Sequence, residues 1–433
     1  MALPHEVVTL TKKQSNIFAW GWQNNARHRV AVCGRRFGKT FLARREVKRA
    51  IQLAAKRNIS PDNEIWYGAP TFKQAKRVFW RALKRAIPKH WILGKPNESE
   101  GSITIKTGHV FRIVGLDNYD DLRGSGLFFF IGDEWADCNP LCWTEVIQPM
   151  LATCQGHSLR IGTPKGFNHF HDDFQKGQPG SVDASGKPIS DYKSWSYTTI
   201  QGGNVPQAEI DTARRDLDAR TFRQEWEASF ETYAGQVVYA FKRKTHVRPC
   251  PYDDKKDVKI GMDFNVNPMS ATVWQEDGET SHQIDEIIIP TSNTDEMCDE
   301  INLRYARNGS VSHITIYPDP AGDQDRTSAQ GRTDISILRK RGYKVMQMSS
   351  HPLIRDRLVT TNARFMNADG LIRAYVDPRC VKSIEAYERL EYKEGTGAPD
   401  KTSGYDHPVD ATGYYFFVRY GGNTVKKIKI IGF

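Results

Sequence analysis

Residues 30–40 contain the residue types that bind nucleotide phosphates. The apolar stretch from Val30 to Val32 predicts the end of a buried strand, and the composition from Phe41 to Ala55 predicts a helix. Between them lies a loop that ends in Gly38-Lys39-Thr40. In this context the backbone N–H groups and the helix N-terminus face the phosphates, the lysine reaches the β and γ oxygens, and the threonine hydroxyl holds Mg²⁺. The pattern G-x-x-x-x-G-K-[ST] is incomplete because Cys33 replaces its first glycine, so a simple Gly-Lys-Thr turn is the alternative.

A pair of carboxylates follows the next strongly apolar stretch. Residues 127–131 form a run of five apolar residues, which predicts a fully buried strand, and the run leads into Gly132-Asp133-Glu134. A carboxylate at the end of such a strand can hold the Mg²⁺ shell, and the next acid can polarise the attacking water. Together with the phosphate-binding loop, this pair predicts ATP hydrolysis.

Three further positions could contribute to the same site. The Gln14 amide could read the edge of adenine, and Arg123, on the loop before the Asp133 strand, could act as an arginine finger. The strand predicted at 158–161 leads into Gly162-Thr163-Pro164, where a small hydroxyl could sense the γ-phosphate. Each of these residues also has a simple explanation as a surface or turn residue.

Spaced aspartates mark the second half of the chain. Asp263 ends one predicted strand and Asp319 ends another. Asp406 and Asp410 lie four residues apart at the start of a predicted buried helix. Carboxylates from two strand ends and a helix start can converge on two Mg²⁺ or Mn²⁺ ions, which activate water for phosphodiester cleavage. Oxygen ligands without His or Cys spacing favour these hard ions over zinc.

The composition favours a two-domain protein with a polyanionic partner. A chain of 433 residues exceeds one ordinary hydrophobic core. Residues 1–230 hold 33 Lys and Arg against 23 Asp and Glu, whereas the remainder holds 28 of each. The basic half predicts nucleic-acid binding and the acid-rich half a metal site. We expect no membrane span and no secretion signal, and the seven cysteines without a C-x-x-C pair indicate a reducing compartment.

The predicted elements place these groups in an α/β fold. A P-loop ATPase domain with a mostly parallel central sheet is predicted for residues 1–232. A ribonuclease-H-like α/β nuclease domain is predicted for residues 235–433, because an acid-bearing strand there is followed by two antiparallel strands. The helix predicted from Thr71 to Ile87 has a basic outer face, which is either a nucleic-acid track or simply a soluble helix surface.

This ordered set of motifs resembles the large terminase subunit of tailed bacteriophages, from Gln14 to about Phe417. The resemblance implies that nucleotide is bound by Gln14, Gly34, Arg35, Arg36, Phe37, Gly38, Lys39, Thr40 and Asp133. It implies a coupling motif at Gly162, Thr163 and Pro164, and catalytic roles for Glu134, Arg35, Arg123, Asp263, Asp319 and Asp410. The implied metal ligands are Thr40, Asp133, Asp263, Asp319, Asp406 and Asp410. Whether Asp406 or Asp410 contacts the metal stays open, because His407 stands where family patterns often carry a second consecutive aspartate.

The resemblance also implies ligands, partners and a location. These are ATP with Mg²⁺ in the first domain, two Mg²⁺ or Mn²⁺ in the second, double-stranded DNA, the portal protein of the procapsid, a small terminase subunit, a homo-oligomeric ring, and the host-cell cytoplasm. ATP hydrolysis would drive DNA into the procapsid, and the nuclease would cut concatemeric DNA at the start and end of packaging. The basic segment from Thr424 to Phe433 is a candidate portal contact.

Two other functions agree with part of the pattern. A helicase–nuclease of DNA repair would need a second RecA-like domain, and no second P-loop follows residue 235. A DNA-binding ATPase could carry a second domain that does not cleave, although the spaced aspartates count against it.

Overall fold

A computed structural model describes residues 9–22, 27–232, 234–323, 333–394 and 396–421. The candidate portal contact from Thr424 to Phe433 lies outside these residues. The chain forms two compact units, one of Met1–Ile210 with Arg223–Thr232 and one of Asp211–Phe222 with Tyr233–Phe433. The segment Asp211–Phe222 precedes the predicted boundary at 232–235 but is grouped with the second unit, where Asn367 Nδ2 donates to the carbonyl of Arg215 at 2.8 Å.

The first unit alternates strands and helices. Its elements are α1 (Lys12–Trp20), β1 (His28–Cys33), α2 (Lys39–Lys56), β2 (Asn63–Ala69), α3 (Phe72–Ala75), α4 (Arg81–Ala86), β3 (Ser102–Thr104), β4 (Val110–Gly115), β5 (Gly126–Gly132), α5 (Gln148–Ala152), β6 (His157–Gly162), α6 (His169–Lys176) and β7 (Tyr192–Tyr197). Helices α7 (Gln207–Asp216) and α8 (Ala219–Trp226) follow, and each contains residues of both units. Short 3-10 turns lie at Lys89–Trp91, Tyr119–Leu122, Trp135–Asp137 and Ile200–Gly202, and π-helical turns at Lys76–Trp80 and Trp143–Ile147.

The predicted mostly parallel sheet is confirmed. Seven strands lie in the order β3-β4-β2-β5-β6-β1-β7, and only β3 is antiparallel to its neighbour. Alternate side chains of β1 lie on opposite faces of the sheet. Val30 and Val32 belong to the hydrophobic cluster on one face, and Ala31 and Cys33 belong to the cluster on the other. Burial on both faces is typical of parallel strands covered by helices, and it leaves the strand ends as the place for polar chemistry.

The helix predicted from Thr71 is present, but it is not uniform. Thr71 caps α3 by accepting a hydrogen bond from the N–H of Gln74 at 3.2 Å. A π-helical turn over Lys76–Trp80 then links α3 to α4, which ends at Ala86. The helix therefore contains one irregular turn that its sequence did not predict.

The second unit has a smaller mixed sheet. After α9 (Arg243–His246) its elements are β8 (Val258–Asp263), β9 (Met269–Asp277), β10 (Thr280–Ile289), α10 (Thr294–Tyr305), β11 (Ile314–Pro318), a 3-10 turn (Pro320–Asp323), α11 (Asp334–Lys340), β12 (Lys344–Val345), α12 (Ile354–Phe365), β13 (Ala374–Val376), α13 (Val381–Arg389) and α14 (Asp406–Tyr420). The strand order is β12-β11-β8-β9-β10-β13.

The pairing in this sheet confirms the predicted ribonuclease-H-like pattern. Strands β8, β9 and β10 form an antiparallel meander, and β11 lies parallel to β8. One face packs on α10 and α11, whereas the other packs on α12, α13 and the aromatic helix α14. Among the described residues, no helix is long and apolar enough to cross a membrane.

Candidate active sites

The predicted phosphate-binding loop of the first unit lies between β1 and α2. Cys33 is the last residue of the strand and is paired in register with Tyr197, so this position needs no glycine. Gly38 caps α2 with φ of +98°, a left-handed conformation that favours glycine. The first N–H groups of α2, from Lys39 onwards, have no acceptor within the helix and form a natural anion site.

The Lys39 side chain turns back towards the backbone of its own loop. Its Nζ donates to the carbonyls of Cys33 at 3.0 Å and Gly34 at 3.2 Å, and to Thr163 Oγ1 at 3.0 Å. These contacts satisfy all three donors of a nearly buried ammonium group. A phosphate group at the loop would compete with them for the lysine.

The two acids after β5 differ in their surroundings. Asp133 accepts a short hydrogen bond from the Tyr67 hydroxyl, and its Oδ2 lies 3.5 Å from Thr40 Oγ1. Glu134 has φ of +48°, so the chain turns sharply after the strand. Burial raises the pKa of both carboxyl groups, and the charge of Lys39 opposes the shift. An acid with a raised pKa beside a phosphate site suits a group that orients or deprotonates water.

These groups line one cavity of about 790 Å³. Gln14 also lines it, but its Nε2 donates to the carbonyl of Phe37 at 3.0 Å and its Oε1 accepts from the N–H of Thr11 at 3.0 Å. The Arg35 guanidinium is paired with the buried carboxylate of Glu225. Gln14 and Arg35, two of the residues that the resemblance assigns to the nucleotide, therefore have side chains engaged within the protein.

The four aspartates of the second unit meet at one edge of its sheet. Strands β8 and β11 are parallel, so Asp263 and Asp319 leave the sheet at the same end, where the N–H of Asp319 donates to the carbonyl of Met262 at 2.9 Å. His407, in the first turn of α14, links that helix to β8 because its Nδ1 lies 2.9 Å from Asp263 Oδ2. Burial raises the pKa of Asp263, and the negative charges of Asp410 and Asp319 add to this effect.

Each of these acids also lies near a basic side chain. Arg357 Nη1 lies 3.0 Å from Asp410 Oδ1, and His351 Nδ1 lies 3.4 Å from Asp319 Oδ1. Lys401 Nζ lies 3.5 Å from Asp410 and 3.8 Å from Asp406. In the part of the chain that the structure describes, no group of three or more His, Cys, Asp or Glu side chains is arranged to hold a metal ion.

The donor chemistry nevertheless fits a hard divalent cation. All four candidate ligands are carboxylates, and Oδ1 of Asp406 is buried without a hydrogen-bond partner among the described residues. Burial raises the pKa of Asp406, which a nearby cation would reverse. Metal binding here would require the carboxylates to leave some of their basic partners.

Comparison with known proteins identifies similar sequences and similar solved structures. No protein-family model matches the chain. The large terminase subunit of Thermus phage G20c is 28% identical over 283 residues, which are 57% of this chain and 56% of that protein. That of Escherichia phage T5 is 26% identical over 386 residues, which are 85% of this chain and 81% of that protein. The solved large terminase of thermophilic bacteriophage D6E has the same fold, with a TM-score of 0.56 at 15% identity over 95% of this chain and 99% of the other.

The chain is similar to phage large terminase subunits. The match to the Thermus phage protein spans a little over half of that relative's length, while the T5 match extends across both units of this chain. The D6E structure, at 15% identity, supports the fold alone.

The structure brings most of the predicted nucleotide residues together. The cavity is lined by Gln14, Arg35, Arg36, Gly38, Lys39, Thr40, Glu134 and Thr163, with Asp133 beside Thr40. Phe37 is buried and contributes its carbonyl, whereas Gly34 provides a carbonyl to Lys39. Gly162 ends β6, and Pro164 follows Thr163 in the next loop. Arg123 is not one of the described lining residues, since it is exposed and paired with Asp120 at 2.8 Å.

Several residues of these sites were not predicted. In the first unit they are Tyr67, Asp137, Lys165, Asn204 and Glu225, and in the second His351, Arg357 and Lys401. Lys165 in the loop after β6 is paired with Asp137 at 2.6 Å. That loop therefore contacts Lys39 through Thr163 and the turn after Glu134 through Lys165. Lys165 could have been found from the sequence, because it lies in the predicted coupling loop beside Gly162, Thr163 and Pro164. Most of the other residues lie far along the chain from the motifs that predicted the sites.

Proposed function

We propose that this chain is a DNA-packaging ATPase and metal-dependent endodeoxyribonuclease. The observation that carries the ATPase part is the meeting of Lys39, Thr40 and Glu134 in one cavity, with Asp133 beside Thr40. The nuclease part rests on the convergence of four aspartates at one sheet edge. The relatives named large terminase subunits support both parts.

ATP would occupy the cavity of the first unit. Lys39 would exchange the carbonyls of Cys33 and Gly34 for phosphate oxygens, and Thr40 and Asp133 would hold Mg²⁺. When bound, Mg²⁺ neutralises charge on the β and γ oxygens. Glu134 would orient the attacking water and accept its proton, in keeping with the raised pKa of its carboxyl group.

Arginines would complete the nucleotide site. Arg35 would leave Glu225 to contact the phosphates in its own subunit, and Arg123 of a neighbouring copy would act as the finger. Arg123 is exposed and is not among the described residues that line the nucleotide cavity of its own subunit, which suits that role. Gly162, Thr163 and Pro164 would respond to hydrolysis through the contact between Thr163 and Lys39. The homo-oligomeric ring follows from this requirement for a neighbour and from the resemblance.

The second unit would cut DNA with Asp263, Asp319 and one or both of Asp406 and Asp410. Two bound Mg²⁺ or Mn²⁺ ions would supply water activation and stabilisation of the leaving 3′ oxygen. The carboxylates would have to exchange His407, Lys401 and their other basic partners for the metal. Double-stranded DNA is the proposed substrate, and the portal protein, a small terminase subunit and the host cytoplasm remain proposals from the resemblance.

One observation favours a second candidate, a DNA-binding ATPase whose second unit does not cleave. Among the described residues the acids are paired with basic groups and form no group arranged to hold a metal ion. Such pairing could preserve a ribonuclease-H-like unit as a structural module. It predicts that metal ions neither bind this edge of the sheet nor support cutting.

Plasmid cleavage separates the two candidates. Purified chain is incubated with supercoiled plasmid and Mn²⁺, Mg²⁺ or EDTA, and Asp263→Ala is compared with Asp299→Asn, which alters an exposed acid on α10 paired with Arg341. The proposal expects cutting with Mn²⁺ or Mg²⁺, loss of cutting in Asp263→Ala, and unchanged ATP hydrolysis in both variants. Active ATPase without cutting under any metal would favour the second candidate.

A further inference from the structure

Tyr67 is a buried tyrosine whose hydroxyl reaches the proposed Mg²⁺ site. It lies in β2, which pairs with β5, and it is 1% exposed. Its hydroxyl donates to Asp133 Oδ2, the same oxygen that lies 3.5 Å from Thr40 Oγ1.

This contact completes the orientation of the Asp133 carboxylate. Oδ1 accepts the N–H of Glu134 at 2.9 Å, while Oδ2 accepts the Tyr67 hydroxyl. With both oxygens held, the plane of the carboxylate is set before any cation arrives. Hydrogen-bond partners of this kind fix metal-ligating carboxylates and raise metal affinity.

The ring of Tyr67 makes a second contact on its aromatic face. It stacks on Phe79, with centroids 3.8 Å apart and planes 7° apart. Phe79 is fully buried and belongs to the π-helical turn Lys76–Trp80 between α3 and α4. Because π-helical turns are rare and concentrate at functional sites, this irregular turn is a suitable place for a helix to respond to a neighbouring site.

The outer face of that helix carries an unneutralised basic row. Lys73, Arg77, Arg81 and Arg85 recur every four residues, and all four are exposed. In the described ranges none of these four side chains has a hydrogen bond or an ion pair, whereas neighbouring Lys84 is paired with Glu98. The hydroxyl of Tyr67 thus contacts Asp133, the proposed metal ligand, and its ring contacts Phe79 on the buried side of the helix that carries the basic row.

We propose that Tyr67 is a positioning residue that orients Asp133 for Mg²⁺ and transmits occupancy of that site, through Phe79, to the helix from Phe72 to Ala86. The inference rests on the proposed ATPase function, since it gives Asp133 a metal to hold. It adds a residue that is in contact with Asp133 and a route from the nucleotide cavity to the row formed by Lys73, Arg77, Arg81 and Arg85.

The first test measures binding of a fluorescent ATP analogue by the full chain as Mg²⁺ is titrated. Tyr67→Phe removes only the hydroxyl, and we expect the half-saturating Mg²⁺ concentration to rise about tenfold or more, with metal-free nucleotide binding unchanged. Tyr192→Phe is the control, because Tyr192 starts β7 at the opposite edge of the same sheet. Equal Mg²⁺ dependence in wild type and Tyr67→Phe would overturn the orienting role.

The second test measures hydrogen exchange over residues 72–86 with and without saturating Mg·ADP. We expect nucleotide to change exchange there in wild type and Tyr192→Phe but not in Tyr67→Phe. Phe79→Leu should keep the wild-type Mg²⁺ dependence and lose the exchange response, because it breaks the stack and keeps the hydroxyl. An unchanged response in Tyr67→Phe would overturn the link to the helix. Wild type that binds no nucleotide at any Mg²⁺ concentration would instead overturn the proposed ATPase function, and the inference with it.

Discussion

Lys39 Nζ lies 3.0 Å from Thr163 Oγ1, and this hydrogen bond joins the phosphate-binding loop to the loop that follows β6. The two residues are 124 positions apart, and both are buried. Because Lys39 would have to turn towards bound phosphates, nucleotide binding would weaken or remove this contact. The proposed coupling role of Thr163 therefore predicts that this contact changes when nucleotide binds.

Thr163→Val tests this relationship with a substitution of nearly equal shape. The valine cannot accept from Lys39, but the carbonyls of Cys33 and Gly34 still hold the lysine. We expect ATP affinity to stay within about threefold of wild type and DNA-stimulated turnover to fall about tenfold, a change of about 1.4 kcal/mol in the barrier. Equilibrium nucleotide binding and steady-state hydrolysis measure the two quantities. Wild-type turnover would show that the hydroxyl has no part in coupling.

Glu134→Gln should separate ATP binding from hydrolysis. The amide keeps the size of the side chain but cannot accept a proton, so we expect nucleotide binding to persist while turnover falls by about 10² or more. Glu209→Gln is the matched control, since Glu209 is an exposed glutamate on α7 that is not among the described residues lining the cavity. Substantial hydrolysis by Glu134→Gln would remove this residue from the catalytic role.

Asp406→Asn and Asp410→Asn should differ in a way that identifies the third metal ligand. Asp410 is held by Arg357, whereas Asp406 has a buried oxygen without a hydrogen-bond partner among the described residues. The variant of the true ligand should lose Mn²⁺ binding by calorimetry together with plasmid cutting, and the other should keep both. Loss of Mn²⁺ binding in both variants would mean that the two carboxylates act together.

Acid should weaken the first unit through two buried imidazoles. Burial, with Arg160 nearby, lowers the pKa of His28 to about 2, and burial, with Arg29 nearby, lowers that of His157 to about 3. The unfolded chain therefore binds more protons below the ordinary pKa of about 6.5, so the free energy of unfolding falls with decreasing pH. The slope is about 1.4 kcal/mol per pH unit for each imidazole between 6.5 and the folded value.

Urea unfolding of the full chain at pH 7, 6 and 5, followed by tryptophan fluorescence, measures this slope. His28→Asn should give a shallower dependence on pH than wild type, because one of the two groups no longer titrates. Substitution of the exposed His90 should leave the slope unchanged. Equal slopes in wild type and His28→Asn would contradict the assignment.

The buried ion pair between Arg29 and Glu46 should be essential for stability. Both side chains are fully buried, and Trp22 Nε1 also donates to Glu46 at 3.2 Å. Glu46→Gln leaves the Arg29 charge without compensation, so we expect a loss of about 3–5 kcal/mol in the free energy of unfolding. Asp216→Ala, which breaks an exposed pair with Arg215, should leave the unfolding midpoint unchanged in the same denaturant titration.

Local sequence patterns were enough to predict much of the fold. The apolar runs ending at Cys33, Asp133 and Asp263 predicted strands that the structure contains, because continuous apolar composition reflects burial on both faces of a sheet. Thr71 predicted a helix start, since a side-chain oxygen there satisfies an N–H that the first turn leaves free. The π-helical turn within that helix, whose Phe79 stacks on Tyr67 of β2, had no local signature.

The sequence by itself determined which chemical groups stand at the ends of strands and helices: Lys39 and Thr40 at the start of α2, the acids after β5, and Asp263 and Asp319 at one edge of the second sheet. Only the tertiary structure decided their partners. Tyr67 reaches Asp133 across 66 residues, Asp263 meets His407 across 144, and Arg35 meets Glu225 across 190. Such contacts are set by strand order and helix packing, and spacing along the chain cannot encode them because each joins elements that are neighbours only after folding.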